Sequence, residues 1–162
     1  MKKILMAALI TITAAFAAFA QAKTYVIDLG SSQSGPSVRI EKNQYGPNYQ
    51  NTNAPKFTKY FAGDFPEPGD IIEVHYKITP NIDLASLTIA IIDNSPSEKY
   101  WGEISKQYET ITDLKKDVPS EGVIVFKVVH KPTVEITVQL MYDEPVISTL
   151  KLEKTGVKTG RK

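Results

Sequence analysis

Cysteine is absent from this 162-residue chain. That excludes a disulfide framework, a thiolate metal site, a thiol nucleophile and a lipid-modified N-terminal cysteine. Tryptophan occurs once and histidine twice. The two histidines, His75 and His130, have no second His or carboxylate at metal-ligand spacing, which argues against a zinc site. Charge of one sign is also missing, since the formal net charge is only +1. Clustered Lys and Arg of the kind that grip a phosphate backbone are not found in the body of the chain, so nucleic acid is not an expected partner. Helix-period segments of any length are lacking as well.

The one long apolar run is at the N-terminus. Lys2 and Lys3 precede Ile4 to Phe19, which is interrupted only by Thr11 and Thr13, and small-x-small sites follow at Ala18-Phe19-Ala20 and Ala20-Gln21-Ala22. A basic start, an apolar stretch and small residues at the cut are the three parts of a secretory signal. The run of sixteen residues falls short of the ~20 that span a bilayer, and no later segment is apolar enough to do so. We therefore expect residues 1–22 to be a signal peptide cleaved after Ala20 or Ala22, residues 23–153 to form one domain, and the product to be secreted or periplasmic. Losing Lys2 and Lys3 takes the net charge from +1 to −1. The last nine residues, Lys154 to Lys162, carry four bases and no acid. Gly-punctuated and without apolar anchors, they are expected to be a disordered basic tail.

Period-two hydrophobicity dominates the rest. Ile72, Val74, Tyr76 and Ile78 alternate with Glu73, His75 and Lys77, and Val134, Ile136, Val138, Leu140 and Tyr142 alternate with Glu135, Thr137 and Gln139. One face of such strands lies in a core and the other in water. Leu87–Ile92 and Val123–Val129 are nearly continuous apolar runs, which predicts central strands covered on both faces. Shorter strand candidates are Tyr25–Leu29, Val38–Glu41, Lys56–Phe61 and Val146–Glu153. Turn chemistry separates the runs, at Pro66-Glu67-Pro68-Gly69-Asp70, Thr79-Pro80-Asn81, Pro119-Ser120-Glu121-Gly122 and Lys131-Pro132. About eight strands at this spacing predict an all-β, antiparallel β-sandwich of jelly-roll type. One helical turn is expected at Ser95-Pro96-Ser97-Glu98, which has the order of a capping box with Pro at the first helical position.

The stretch Gly69 to Ser105, GDIIEVHYKITPNIDLASLTIAIIDNSPSEKYWGEIS, resembles the central strand pair of carbohydrate-binding-module-like jelly rolls of the galactose-binding-like kind. There a "G-D" turn opens a strand, a polar turn follows, and a hydrophobic strand leads to an aromatic loop. The resemblance covers roughly a quarter of the chain. It implies a β-sandwich binding module and names no ligand.

Two segments could carry binding. Trp101 adjoins Tyr100; a sugar can lay the apolar face of its ring on an aromatic side chain while polar groups take its hydroxyls. Adjacent side chains in an extended chain point apart, so at most one of the pair is a platform. The alternative is that Trp101 closes one end of the core, as buried aromatics usually do. The second segment, Lys42 to Pro55, contains Tyr45, Asn48, Tyr49, Gln50 and Asn51 among further amides. Amides donate and accept at once, as sugar hydroxyls do. Fourteen residues without evident structure exceed the usual loop length, although an ordinary polar loop accounts for the composition as well. Glu98, Glu103, Asp143 and Glu144 cannot be paired in space from sequence, and Gly30–Gly35 has no strand-turn-helix context for a nucleophile elbow. The expectation is a non-catalytic carbohydrate-binding module without a cofactor. A structural calcium would fit the fold type through Asp28, Asp93 or Glu153, but no loop has the dense acidic spacing of a dedicated site. The other expectation is an envelope structural or assembly protein that binds protein through a sheet edge or its tail.

Overall fold

The structure, a computed structural model, describes residues 21–31, 37–42, 50–52, 64–93, 102–104, 108–132, 136–141 and 148–162. Among these the strands are β1 (Thr24–Asp28), β2 (Ser37–Lys42), β3 (Gln50–Thr52), β4 (Ile71–Pro80), β5 (Leu84–Asp93), β6 (Gly102–Glu103), β7 (Glu109–Leu114), β8 (Ser120–Lys127), β9 (Ile136–Met141), β10 (Ser148–Leu152) and β11 (Gly160–Arg161), with a 3-10 turn at Leu29–Ser31. The signal segment, the strand candidate at 56–61 and the capping box at 95–98 lie outside the described residues.

The strands make two sheets around one core. In the larger sheet β4 is central, and the turn before it has Pro68 and Gly69 at its middle positions, with Gly69 at φ 101 and Asp70 N–H donating to the Glu67 carbonyl. β8 pairs antiparallel with β4 from Ile71 to Ile78 along one edge. The other edge is shared end to end. β1 takes Ile71 to His75 in parallel, and β10 takes Ile78 to Pro80 antiparallel. β2 lies outside β10, with β3 outside β2, and β11 lies outside β1. In the smaller sheet β5 is central, with β9 on one edge and β7 and β6 in succession on the other.

Alternation places the core as expected from the sequence. Ile72, Val74, Tyr76 and Ile78 of β4, Leu87, Ile89 and Ile91 of β5, Phe126 of β8 and Leu140 of β9 are all buried and form a single cluster with Tyr25 and Ile27. Burying such side chains is the main favourable contribution in a domain with no disulfide to staple it. β5 is covered on both faces at Ala90 as well. Glu73 and Lys77, expected in water, are half-buried, because β4 has a neighbour on each side.

Four expectations are corrected. Val123–Val129 is not a strand covered on both faces: Val123 and Val125 are 50% and 51% exposed, since β8 alternates and, among the described residues, pairs with β4 alone. The sandwich is not purely antiparallel, because β1 runs parallel to β4. The segment 42–55 is not without structure, as Gln50–Thr52 pairs back onto β2. The basic C-terminus, expected to be disordered, instead pairs Arg161 and Gly160 with Tyr25 and Val26. β11 completes the far side of β1, and the tail's bases find acids: Arg161 bonds Asp64, and Lys162 reaches Glu73 at 2.9 Å.

The two chain ends exchange places. β1 lies inside, against β4, and its continuation β2 lies outside; β10 lies inside and its continuation β11 lies outside. The crossing falls at Gly30, where a Cβ would stand 2.1 Å from the Glu153 carbonyl oxygen and 2.5 Å from the Lys154 nitrogen. Only glycine lets the two backbones pass so closely. Gly30→Ala should therefore lower stability by about 3 kcal/mol, read as a reduced urea midpoint. An unchanged midpoint would contradict the crossing.

Candidate functional site

The sequence-predicted site residues divide between two hairpins. Gln50 and Asn51 sit on β3, where they pair with Lys42 and Glu41 of β2. Tyr45, Asn48 and Tyr49 belong to the connection closed by the Lys42–Gln50 pair and lie outside the described residues. Tyr100 and Trp101 also lie outside them; Trp101 directly precedes Gly102, which pairs with Asp93 at the end of β5.

β3 also lies beside β9, which pairs with β5 from Thr88 to Asp93, the half of β5 whose end carries Gly102. Leu150 aligns both Val38 and Pro80, so Lys42 is four residues beyond the C-terminal end of β4. β5 starts at that same end, after a connection of only three residues, and leads away from it for ten. Just past β6, Ile104 N–H donates to Ile91, and its carbonyl accepts from Val129 and His130. Neighbouring Val128 exchanges hydrogen bonds with Gly69 and Asp70, at the N-terminal end of β4.

The crossing of the chain ends is organised by a buried acid. Asp28 is 1% exposed. Its Oδ1 accepts from Gly30 N–H at 3.1 Å, its Oδ2 from the Ser31 hydroxyl at 3.3 Å, and both oxygens accept from Thr155 N–H. Asp28 N–H in turn donates to the Thr159 hydroxyl at 3.3 Å. Buried polar groups need such partners, and here one carboxylate satisfies N–H groups from both chain ends. Of the three residues considered for calcium, Asp28 already has its oxygens engaged by N–H and O–H donors. The Glu153 carboxylate faces Lys151 at 3.4 Å.

Charge on the outward face gathers along the β1–β11 seam. Asp64 pairs with Arg161 and, at 3.4 Å, with Lys23. Burial opposes ionisation of Asp64, but these two cations hold its carboxyl below the usual range. Burial, aided by Asp64 and Asp70, pushes the Tyr25 hydroxyl up to about 12. The hydrogen bond from Lys162 holds Glu73 below the ordinary carboxylate range, and His75, 3.4 Å away, adds to this.

Sequence reasoning missed one surface. Val123 and Val125 stand exposed on β8, between exposed Glu121 and Lys127. The alternation was present, since Ile124 and Phe126 are the inward pair, but an unbroken apolar run masks which members face out. Neither a known protein family, a curated protein nor a solved structure matches the chain.

Because the folded Glu73 titrates below its unfolded value, its contribution to stability is complete above the unfolded pKa of about 4.3 and is lost as pH falls through the depressed folded value. Glu73→Gln should therefore narrow the stability loss between neutral pH and pH ~3 relative to the unaltered protein. A difference between the two that does not change with pH would contradict this.

Proposed function

We propose that the protein is an exported, non-catalytic binding module of jelly-roll type whose ligand is carbohydrate. The observation that carries the reading is the mounting of two of the amides: Gln50 and Asn51 lie on β3, paired with β2, so a strand of the scaffold presents them. Binding groups held by a cored scaffold lose little freedom on engaging a ligand. Trp101, with Tyr100, would form a further contact region. The jelly-roll reading is supported by continuity. Counting β1 with β2, β10 with β11, and β6 with β7 as interrupted single strands leaves about eight.

Export is part of the proposal. Removal of residues 1–20 or 1–22 leaves β1 whole, and Lys23 N donates to the buried Asp70 carboxylate at 2.9 Å. Cleavage after Ala22 would make that nitrogen the chain's α-ammonium, turning the contact into an ion pair.

A second reading, an envelope structural or assembly protein that binds protein, is favoured by the outer edge of β8. Among the described residues that edge pairs with no strand, and exposed edges are templates for further pairing.

A glycan array on the exported protein tests the first reading. We expect binding that is lost in Tyr49→Ala or in Trp101→Ala without a fall in the unfolding midpoint, and tryptophan emission that is open to aqueous quenchers and shifts on adding the bound sugar. No glycan bound, together with blue-shifted and quencher-protected emission, would overturn it. Trp101→Ala would then cost about 3–5 kcal/mol as the loss of a core side chain.

A further inference from the structure

We propose that the protein forms a two-fold dimer by antiparallel pairing of β8 with β8 of a second copy. The inference rests on the second reading's premise that this edge is an interaction surface, and is independent of the carbohydrate reading.

The hydrogen-bonding phase of the edge follows from bonds already made. Along a strand, successive residues direct their N–H and C=O groups to alternate sides. Ile71 N–H donates to Lys23 and the Lys77 carbonyl accepts from Glu153, so the odd-numbered residues of β4 face β1 and β10. The even-numbered ones, Ile72 to Ile78, face β8 and meet Phe126, Ile124, Gly122 and Ser120. Glu121, Val123, Val125 and Lys127 therefore direct their backbone groups away from β4. Val129 continues the pattern, as its N–H turns outward to the Ile104 carbonyl. From 121 to 127 these outward groups meet no strand among the described residues.

Self-pairing must set odd residues opposite odd residues, or donors and acceptors do not mate. Three registers do this over the middle of β8, with the two-fold axis at Val123, Ile124 or Val125. Centring on Val123 puts Glu121 opposite Val125 and Lys127 opposite Pro119. Centring on Val125 puts Lys127 opposite Val123. Centring on Ile124 puts Glu121 opposite Lys127 and Val123 opposite Val125, twice each by symmetry. That register alone matches both charges and lays the half-exposed valines side by side. It would form roughly eight main-chain hydrogen bonds, and cross-strand pairs of these kinds are each favourable. Natural edges are commonly blunted by proline, bulges or unmatched inward charge; Ser120–Lys127 has no proline and pairs with β4 without a bulge. Its two charges are complementary to a second copy. Because each copy uses the same edge, the contact closes at two chains and does not propagate.

Sedimentation velocity of the exported protein over a range of concentrations tests the proposal. The unaltered chain should dimerise reversibly. Glu121→Lys and Lys127→Glu should each raise the dissociation constant by about tenfold, since each sets like charges opposite one another at both ends of the seam. The double exchange, Glu121→Lys with Lys127→Glu, should restore the dimer. Both side chains are exposed, and the double exchange keeps the composition, so restoration separates a lost contact from a damaged fold. Val125→Pro, which removes an outward N–H only, should also abolish pairing. A protein that stays monomeric throughout, or a dimer indifferent to the single reversals, would overturn the proposal. Glycan binding measured on the same variants reports on the carbohydrate reading separately.

Discussion

Two backbones from opposite ends of the chain pass within touching distance at Gly30 and Glu153, and the rest of the larger sheet is arranged by that passage. β4 has one edge to offer on this side. β1 occupies its first half and β10 its last few residues, so neither terminal strand can run the full length. Each must leave the inner position where the other enters. Gly30 permits the approach by having no Cβ, and Asp28 fixes it by accepting N–H groups from Gly30 and Thr155 together. Without the crossing, β2 and β11 would have no reason to occupy the outer positions they do.

Such an arrangement bears on stability in a chain with no covalent cross-link. The N-terminal strand is held by β4 on one side and by β11 on the other, while Lys162 and Arg161 tie the C-terminus to Glu73 and Asp64. Contacts between residues so far apart in sequence close very large loops, and they are favourable only once the core has formed. The two termini therefore depend on the core formed by β4, β5, β8 and β9, with its buried Ile72, Ile89, Phe126 and Leu140. Among the described residues β8 is the opposite border of the sheet, where the outward valines are.

Much of this core was legible in the sequence, because a period of two survives wherever a strand has one wet face. β4 and β9 declared their inward residues in this way, and the turn residues at 66–70 and 79–81 bounded β4 closely. β8 was misread for the converse reason. Its run GVIVFKVV looks the same whether a strand is central or lies at an edge with apolar residues on its outer side. Position in a sheet is set by partners that no local pattern encodes. β11 has no apolar signature at all; it is a strand because β1 had a free edge and because Lys162 and Arg161 had acids to meet. β7, ETITDL, lacks clean alternation and turns at Asp113, which has φ 56. The candidate binding residues were chosen by type. Of these only Gln50 and Asn51 fall on a described strand, and their pairing with β2 depends on topology that residue types do not carry.

Hydrogen exchange of the backbone amides measures the exchange of chain ends directly. Free backbone in a mobile tail exchanges quickly, whereas amides in a cooperative unit open only with that unit. The account predicts that Gly30, Thr155 and Lys162, whose amides donate to Asp28, Asp28 and Thr24, are protected alongside those of β4. It also predicts that Asp28→Ala releases all three together. Rapid exchange throughout 154–162 in the unaltered protein would contradict it.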